Sequence, residues 1–377
     1  MHVLIAVTHL LGTGHLRRAL ALAHAFVAAG HRVTLASGGT PVSGLDTAPV
    51  HFVQLPPLTS DGTNFTTLLT ADGTRANEPY LEHRQDALLS CLQDPPDAII
   101  TELFPFGRRV LTAEFTALLD RAHALKVRPK VLSSIRDILA PPSKPSKAAR
   151  TDAVIAQYYD AVLVHSDETT TALDASWPVS DALREKLHYT GFVAPDPPAP
   201  LPGKEGAGEI LVSTGGGAVG ATVFETALAA AALTPDLTWR LLIGGVDPAA
   251  LISRLKAKAP DNAKIEAARP DFRQMLNHAM GSVSLAGYNT VMDVLQTRVP
   301  GLLIPFDDGG EVEQTLRARS LSALPGFAVL RSADLTPDHM ANAVRSLIKS
   351  GRRAPSHVAM DGAATSVRVT EKLVQQP

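Results

Sequence analysis

Two stretches of this chain follow the same local pattern, and that repetition limits its fold more than any other feature. Residues 3–7 form a short β-rich run, and a loop with Gly12-Thr13-Gly14 follows it. Residues 16–29 carry Leu20, Ala23, Phe26 and Val27 near helical spacing, Gly30 stops the helix, and residues 32–36 read as the next strand. Residues 209–243 repeat this order: a strand at 209–213, a glycine loop at 214–220, a helix at 222–232 and a strand at 238–243. A strand, loop, helix and strand in succession imply parallel pairing through a right-handed crossover. The expected class is α/β, with two Rossmann-like doubly wound domains.

More segments fit that scheme. Strands are expected at 98–100, 130–134, 161–164 and 188–193 in the first half, with a helix at 114–124 and a helix start at Ser166-Asp167-Glu168. The second half adds strands at 264–267, 282–285 and 301–304 and helices at 272–279 and 290–297. Residues 194–208 are rich in proline and glycine without apolar periodicity, which marks a hinge. The expected domains are therefore 1–193 and 209–361, with a last helix at about 362–377 that can pack back on the first.

Composition removes several function classes. The 377 residues carry a net charge of −2, balanced in both halves, so a nucleic-acid partner is not expected. The single cysteine, Cys91, permits no internal disulfide and no cysteine-based zinc site. No apolar stretch reaches the roughly 20 residues a bilayer needs, and the first residues lack the basic start of a signal peptide. A cytoplasmic chain is expected, with peripheral contact at the inner membrane face left open.

Ligand-binding candidates lie at strand ends, where open α/β sheets hold their ligands. In Gly215-Gly216-Gly217, the lack of side chains lets a backbone approach a diphosphate, and the following helix offers free N–H groups. A tight turn is the plainer reading. In the segment Gly287-Tyr288-Asn289-Thr290-Val291-Met292-Asp293, Gly287 ends a strand, Asn289 or Thr290 can cap a helix, and Asp293 lies one turn on. That suits a diphosphate and a ribose diol, or simply a capping box. Glu313 and Gln314 open a further helix, where sugar hydroxyls or solvent are the alternatives. In the first half, His15 follows the glycine loop, Glu102 ends a strand with Arg108 and Arg109 close after it, and Arg136 with Asp137 ends another. Each of these is either an acceptor-side group or a structural ion pair.

Taken in order, the hinge, the glycine loop, Ala286-Gly287-x-x-Thr290-x-x-Asp293, Val299-Pro300-x-x-x-x-Pro305-Phe306 and Glu313-Gln314-x-x-x-Ala318 resemble the nucleotide-sugar domain of GT-B glycosyltransferases, and most closely the group containing MurG. Gly12-Thr13-Gly14-His15 resembles that group's amino-terminal glycine loop. The resemblance implies two domains facing a central cleft. It implies donor contacts from Thr214, Gly216, Gly217, Phe272, Gly287, Asn289, Thr290, Asp293, Glu313 and Gln314. It places His15 over the acceptor site as the base, while Gly14, Glu102, Arg108, Arg136 and Asp137 are expected on the acceptor side from their places in the first loop and at strand ends.

The implied reaction is an inverting transfer, independent of metal, from a nucleoside-diphosphate sugar, UDP-linked by resemblance, to a hydroxyl acceptor in cell-surface polysaccharide or glycolipid synthesis. No cofactor is expected. A histidine suits the base because its ordinary pKa lies near neutrality. Asp307-Asp308 is the nearest approach to a metal motif and lacks partner ligands. The alternatives are a nucleotide-sugar 2-epimerase and a non-catalytic subunit with the same fold. A nicotinamide dehydrogenase fits less well, because the first loop lacks a third glycine and no acid ends the second strand.

Overall fold

A computed structural model describes residues 1–61, 64–199, 203–214, 220–245, 248–307, 312–355 and 357–376. The chain divides into two compact units, Met1–Ala194 with Ala359–Pro377, and Pro195–Val358.

The first unit holds β1 (His2–Val7), β2 (Arg32–Gly39), β3 (His51–Asp61), β4 (Asn64–Leu69), β5 (Ala98–Glu102), β6 (Lys130–Arg136), β7 (Ala161–His165) and β8 (Leu187–Tyr189). Their order across the sheet is β4-β3-β2-β1-β5-β6-β7-β8. All pairs are parallel except β3 with β4. The helices are α1 (Gly14–Ala28), α2 (Glu78–Ser90), α3 (Thr112–His123), α4 (Pro145–Tyr158) and the short α5 (Asp181–Arg184).

Strand β1 shows why the sequence reads as a continuous apolar run. Val3, Ile5 and Val7 pack with Leu16, Leu20, Ala23 and Phe26 of α1 on one face. Leu4 and Ala6 belong to the cluster with Phe104, Phe115 and Leu118 on the other. A parallel sheet covered by helices on both faces needs apolar side chains at every position.

The second unit holds β9 (Glu209–Ser213), β10 (Thr238–Ile243), β11 (Ala263–Ala267), β12 (Gly281–Leu285), β13 (Gly301–Ile304) and β14 (Phe327–Val329), in the order β11-β10-β9-β12-β13-β14. All pairs are parallel. Its helices are α6 (Ala221–Ala232), α7 (Ala249–Lys256), α8 (Phe272–Met275), α9 (Tyr288–Thr297), α10 (Glu313–Leu321) and α11 (Pro337–Ile348). The last helix, α12 (Gly362–Gln375), returns to the first unit. There Val367 joins the apolar cluster of α1, and Glu371 meets His31 Nε2 at 2.8 Å.

Strand order reverses once in each sheet. The switch point lies between β1 and β5 in the first unit and between β9 and β12 in the second. Crevices beyond the carboxyl ends of such strand pairs are where doubly wound sheets bind ligands.

Three elements differ from the sequence reading. No helix starts at Ser166-Asp167-Glu168. The Asp167 carboxylate accepts from Thr169 N at 2.9 Å and Thr170 N at 3.3 Å, closing a turn that stops there. Its other oxygen accepts from Ala359 N at 2.9 Å and ties down the chain before α12. The strand at 188–193 shrinks to β8, and the helix at 272–279 shrinks to the single turn of α8.

Candidate functional site

The first unit's switch point gathers the charged residues. After β1 the chain turns through Gly12, whose φ of 67° lies in the left-handed region glycine favours, into α1. His15 and Arg18 are one turn apart on α1, so they share a face. Glu102 is the last residue of β5, next to β1. His15 Nδ1 lies 2.7 Å from Glu102 Oε1, and Arg18 Nη2 donates to that same oxygen. The side chains of Glu102 and Arg18 are 1% and 5% exposed, against 14% for His15.

These bonds fix the imidazole tautomer. An ionised carboxylate only accepts, so Nδ1 carries the hydrogen and Nε2 is left with a lone pair. Nε2 has no protein partner among the described residues. Burial, aided by the charges of Arg108 and Arg18, outweighs the pull of Glu102 and lowers the His15 pKa to about 4. Burial alone would raise the Glu102 carboxyl. The surrounding His15, Arg18 and Arg108 overcome that and hold it below the usual carboxylate range. At neutral pH the pair is thus a carboxylate and a neutral imidazole with its accepting nitrogen free. Glu102 Oε2 is buried with no hydrogen-bond partner among the described residues.

The neighbouring strand ends complete the cluster. Glu102 is in register with Ser134 of β6, and Arg136 with His165 of β7. His165 is fully buried. Thr190 donates its one hydrogen to carbonyls, so it accepts from His165 Nδ1 at 2.9 Å, and Ser134 donates to Nε2 at 2.8 Å. Burial lowers the His165 pKa to about 3. Asp137 is fully buried after β6, and Arg136 is half-buried. Arg108 stands in a left-handed turn, φ 56°, and its charge acts on both Glu102 and His15. Gly14 is the first residue of α1.

Two further residues contribute. Arg17 and Arg18 both follow His15, and only the i, i+3 spacing of Arg18 points to the shared face. Arg84 of α2 is fully buried and donates to both Glu114 oxygens, at 2.6 and 3.2 Å. It also donates to Gly38 O at 2.7 Å, to Pro56 O at 2.5 Å and to Thr8 Oγ1, beyond β1, at 2.7 Å. A Cβ on Gly38 would lie 1.9 Å from Arg84 Nη2, so this glycine makes room for the guanidinium. No local pattern marks a residue whose partners are this distant in sequence.

In the second unit, Thr214 follows β9 at the switch point, while Gly216 and Gly217 lie outside the described residues, as does Asp308. Gly287 is the N-cap of α9, at the end of the adjacent β12. The space where its Cβ would project is open, and α9 has neither a side-chain cap nor an acid in its first turn. Among the described residues no side chain caps that first turn, and its N–H groups carry the positive end of the helix dipole. Asn289 and Thr290 sit inside that first turn rather than capping it.

Asp293 does not bond the start of its own helix. It pairs with Arg273 of α8 at 2.6 Å, and Arg273 also bonds Gln296 and the carbonyl of Asp196. Burial raises the Asp293 pKa against the pull of Arg273. Phe272 is half-buried at the head of α8. Gln314 accepts from Phe306 N at 3.1 Å, bracing the chain after β13, and Glu313 is half-buried at the start of α10. Thr214, Gly287, Asn289 and Thr290 thus share one switch point, while Gln314 braces the chain after the neighbouring strand. Among the described residues, no group of three or more His, Cys, Asp or Glu could hold a metal ion.

Comparison with known proteins fits this geometry. Residues 215–372 match the Glycosyltransferase family 28 C-terminal domain. A Brucella anthropi UDP-N-acetylglucosamine--N-acetylmuramyl-(pentapeptide) pyrophosphoryl-undecaprenol N-acetylglucosamine transferase is 28% identical over 37% of this chain and 38% of its own length. The transferase of the same name from Rhodospirillum centenum is 30% identical over 40% of each chain. The match thus spans well under half the length of these relatives. Among solved structures, Acinetobacter baumannii MurG is 16% identical with a TM-score of 0.59, covering 99% of this chain and 98% of that one. A calicheamicin glycosyltransferase is 19% identical with a TM-score of 0.60, covering 99% and 94%. A UDP-glucosyltransferase from Polygonum tinctorium is 15% identical with a TM-score of 0.63, covering 99% and 98%. The chain therefore has the two-domain GT-B fold and carries a glycosyltransferase family 28 C-terminal domain.

Proposed function

We propose that this chain is an inverting, metal-independent glycosyltransferase that moves a sugar from a nucleoside-diphosphate sugar to a hydroxyl acceptor, with His15 as the general base. The observation that carries this reading is the free, accepting Nε2 of His15, fixed by the bond from Nδ1 to Glu102. As the acceptor oxygen attacks the anomeric carbon, Nε2 takes its proton and the bond from sugar to diphosphate breaks on the opposite face. The nucleoside diphosphate leaves with that bonding pair. The uncapped amides of α9 are the groups we assign to its charge. Neutral His15 suits the base role because it does not first have to lose a proton at physiological pH.

The relatives' names give UDP-N-acetylglucosamine as their donor, which supports a UDP-linked donor here. Their acceptor is lipid-linked, and a lipid-linked acceptor at the inner membrane face is the corresponding reading. No helix among the described residues is long and apolar enough to cross a membrane.

The test is direct. The purified chain is screened against UDP-, TDP- and GDP-sugars for thermal stabilisation and then for release of free nucleoside diphosphate with lipid extracts as acceptor. Release of free UDP that disappears in His15→Ala, with donor binding kept, is the expected result. An epimerised nucleotide sugar, with no diphosphate released, would overturn it.

A further inference from the structure

A second group of cations lies in the first unit, outside the His15 cluster. Arg109 follows Arg108 directly, yet it lines a separate small pocket of about 10 Å³ with Thr112 of α3, the segment Phe104-Pro105, and Lys147, Arg150, Thr151 and Val154 of α4. The last four lie at i, i+3, i+4 and i+7, which is one face of the helix. Both helices start from chain that leaves the carboxyl ends of β5 and β6, and Glu102 is the last residue of β5.

The chemistry of the lining is one-sided. Among the described residues, none of Arg109, Lys147 and Arg150 has a carboxylate partner. Arg109 Nη1 is buried with no hydrogen-bond partner. Burial, then the charge of Arg150, lowers the pKa of Arg109, so the two cations repel across unfilled space. The hydroxyls are already committed. Thr112 donates to Arg109 O at 2.6 Å, and Thr151 donates to the carbonyls of Pro105 at 3.2 Å and Lys147 at 3.1 Å. Lys147 spends one hydrogen on Ser143 Oγ at 2.6 Å. The donors that remain are all positively charged. A ligand here must accept hydrogen bonds and carry negative charge, and a guanidinium fork favours a tetrahedral oxyanion over a halide.

We propose that Arg109, Lys147 and Arg150 form a binding site for a phosphate group. That group is either a free phosphate ion or the phosphate of an organic ester. The pocket has room for about one oxygen atom, so a phosphate would seat one oxygen there and keep the rest at the open mouth, whether it is a free ion or borne on a larger molecule. The site is independent of the role assigned to His15.

Isothermal titration of the full chain in low-salt, chloride-free buffer tests it, with inorganic phosphate and phenyl phosphate as probes. Wild type should bind at least one of them. Lys147→Gln/Arg150→Gln, two changes on half-buried and exposed positions, should weaken that binding at least tenfold. Lys256→Gln/Lys258→Gln, an equal loss of charge on exposed positions in and just after α7, should leave it within twofold. Phenyl phosphate binding as tightly as phosphate identifies a phosphate carried on a larger molecule, and binding of inorganic phosphate alone identifies the free ion. Absence of binding by both probes, or equal weakening in the two double variants, overturns the proposal. Because the readout is binding alone, its failure is distinct from failure of the glycosyltransferase reading.

Discussion

Replacing Glu102 separates what its charge does from what its shape does. His15 Nδ1 and Arg18 Nη2 both use Oε1, while Oε2 has no hydrogen-bond partner. In Glu102→Gln the amide oxygen can take the place of Oε1 and hold the same tautomer, so orientation is kept and charge is lost. In Glu102→Ala both are lost, and Nδ1 is free to give up its hydrogen to Nε2. A positioned base contributes about 10²- to 10⁴-fold, which is roughly 3–5.5 kcal/mol of barrier. Glu102→Ala should lower kcat by most of that range with little change in donor binding, and Glu102→Gln should fall between it and wild type. Stability confounds the comparison, since each variant leaves Arg18 buried without its counter-charge, at a cost of about 3–5 kcal/mol. The double variant Glu102→Gln/Arg18→Gln removes that uncompensated charge. It should regain much of the lost stability in urea titrations while kcat stays low. Wild-type kcat in Glu102→Ala would refute the argument, because His15 would then need no orienting partner. A rate recovering along with stability in the double variant would reduce Glu102 to a structural ion-pair partner.

Other consequences can be measured separately. Nitrogen-edited NMR of the histidine rings should find His15 neutral at pH 6, with its hydrogen on Nδ1, and titrating only near pH 4. The folded state holds His15 and His165 below their unfolded pKa, so the unfolded chain binds more protons in acid. Their contribution to stability is therefore complete above about pH 6.5 and is lost as pH falls through the folded values. The slope is at most about 1.4 kcal/mol per pH unit for each residue, which urea titrations at pH 7, 6 and 5 would read. Arg84→Met should cost about 3–5 kcal/mol by leaving Glu114 buried and unpaired, and Gly38→Ala should be destabilising because its methyl meets the same guanidinium. Thermal unfolding of the two variants checks this, and a wild-type midpoint in Arg84→Met would show that Glu114 finds another partner.

The parts of this fold that sequence alone reveals are those whose environment is uniform. β1, β5, β9 and β10 are buried on both faces, so their apolar runs stand out, and the glycine loops mark where the chain turns into α1 and α6. β3 is the opposite case. Its His51–Asp61 stretch includes Pro56 and Pro57, is only partly buried, and pairs with β2 on one side and with the edge strand β4 on the other. Prolines are tolerated near an edge but erase the pattern. α4 hides for a similar reason: it starts at Pro145 within the proline- and lysine-rich segment 141–147, which reads as a loop. α2 is helical with few apolar residues because Arg84, a charged side chain, is the one that reaches deepest.

The same distinction separates the legible half of the site from the rest. His15 and Glu102 could be singled out because each ends or follows a buried strand, which is a local signal. That they touch depends on β1 lying next to β5, although residues 8–97 and three strands, β2, β3 and β4, come between them in sequence. The expected companions of Glu102 were Arg108 and Arg109, its neighbours in sequence. The direct bond comes instead from Arg18, because the loop turns at Leu103 and Arg108, both at positive φ, and aims Arg109 toward the basic pocket. A pair of adjacent arginines thus serves two places, and no spacing rule predicts which goes where. Contacts made within one helical turn or at one strand end are visible in sequence. Contacts set by strand order appear only once the order is known, and in this chain the bonds that His15 and Arg18 make to Glu102 are of that second kind.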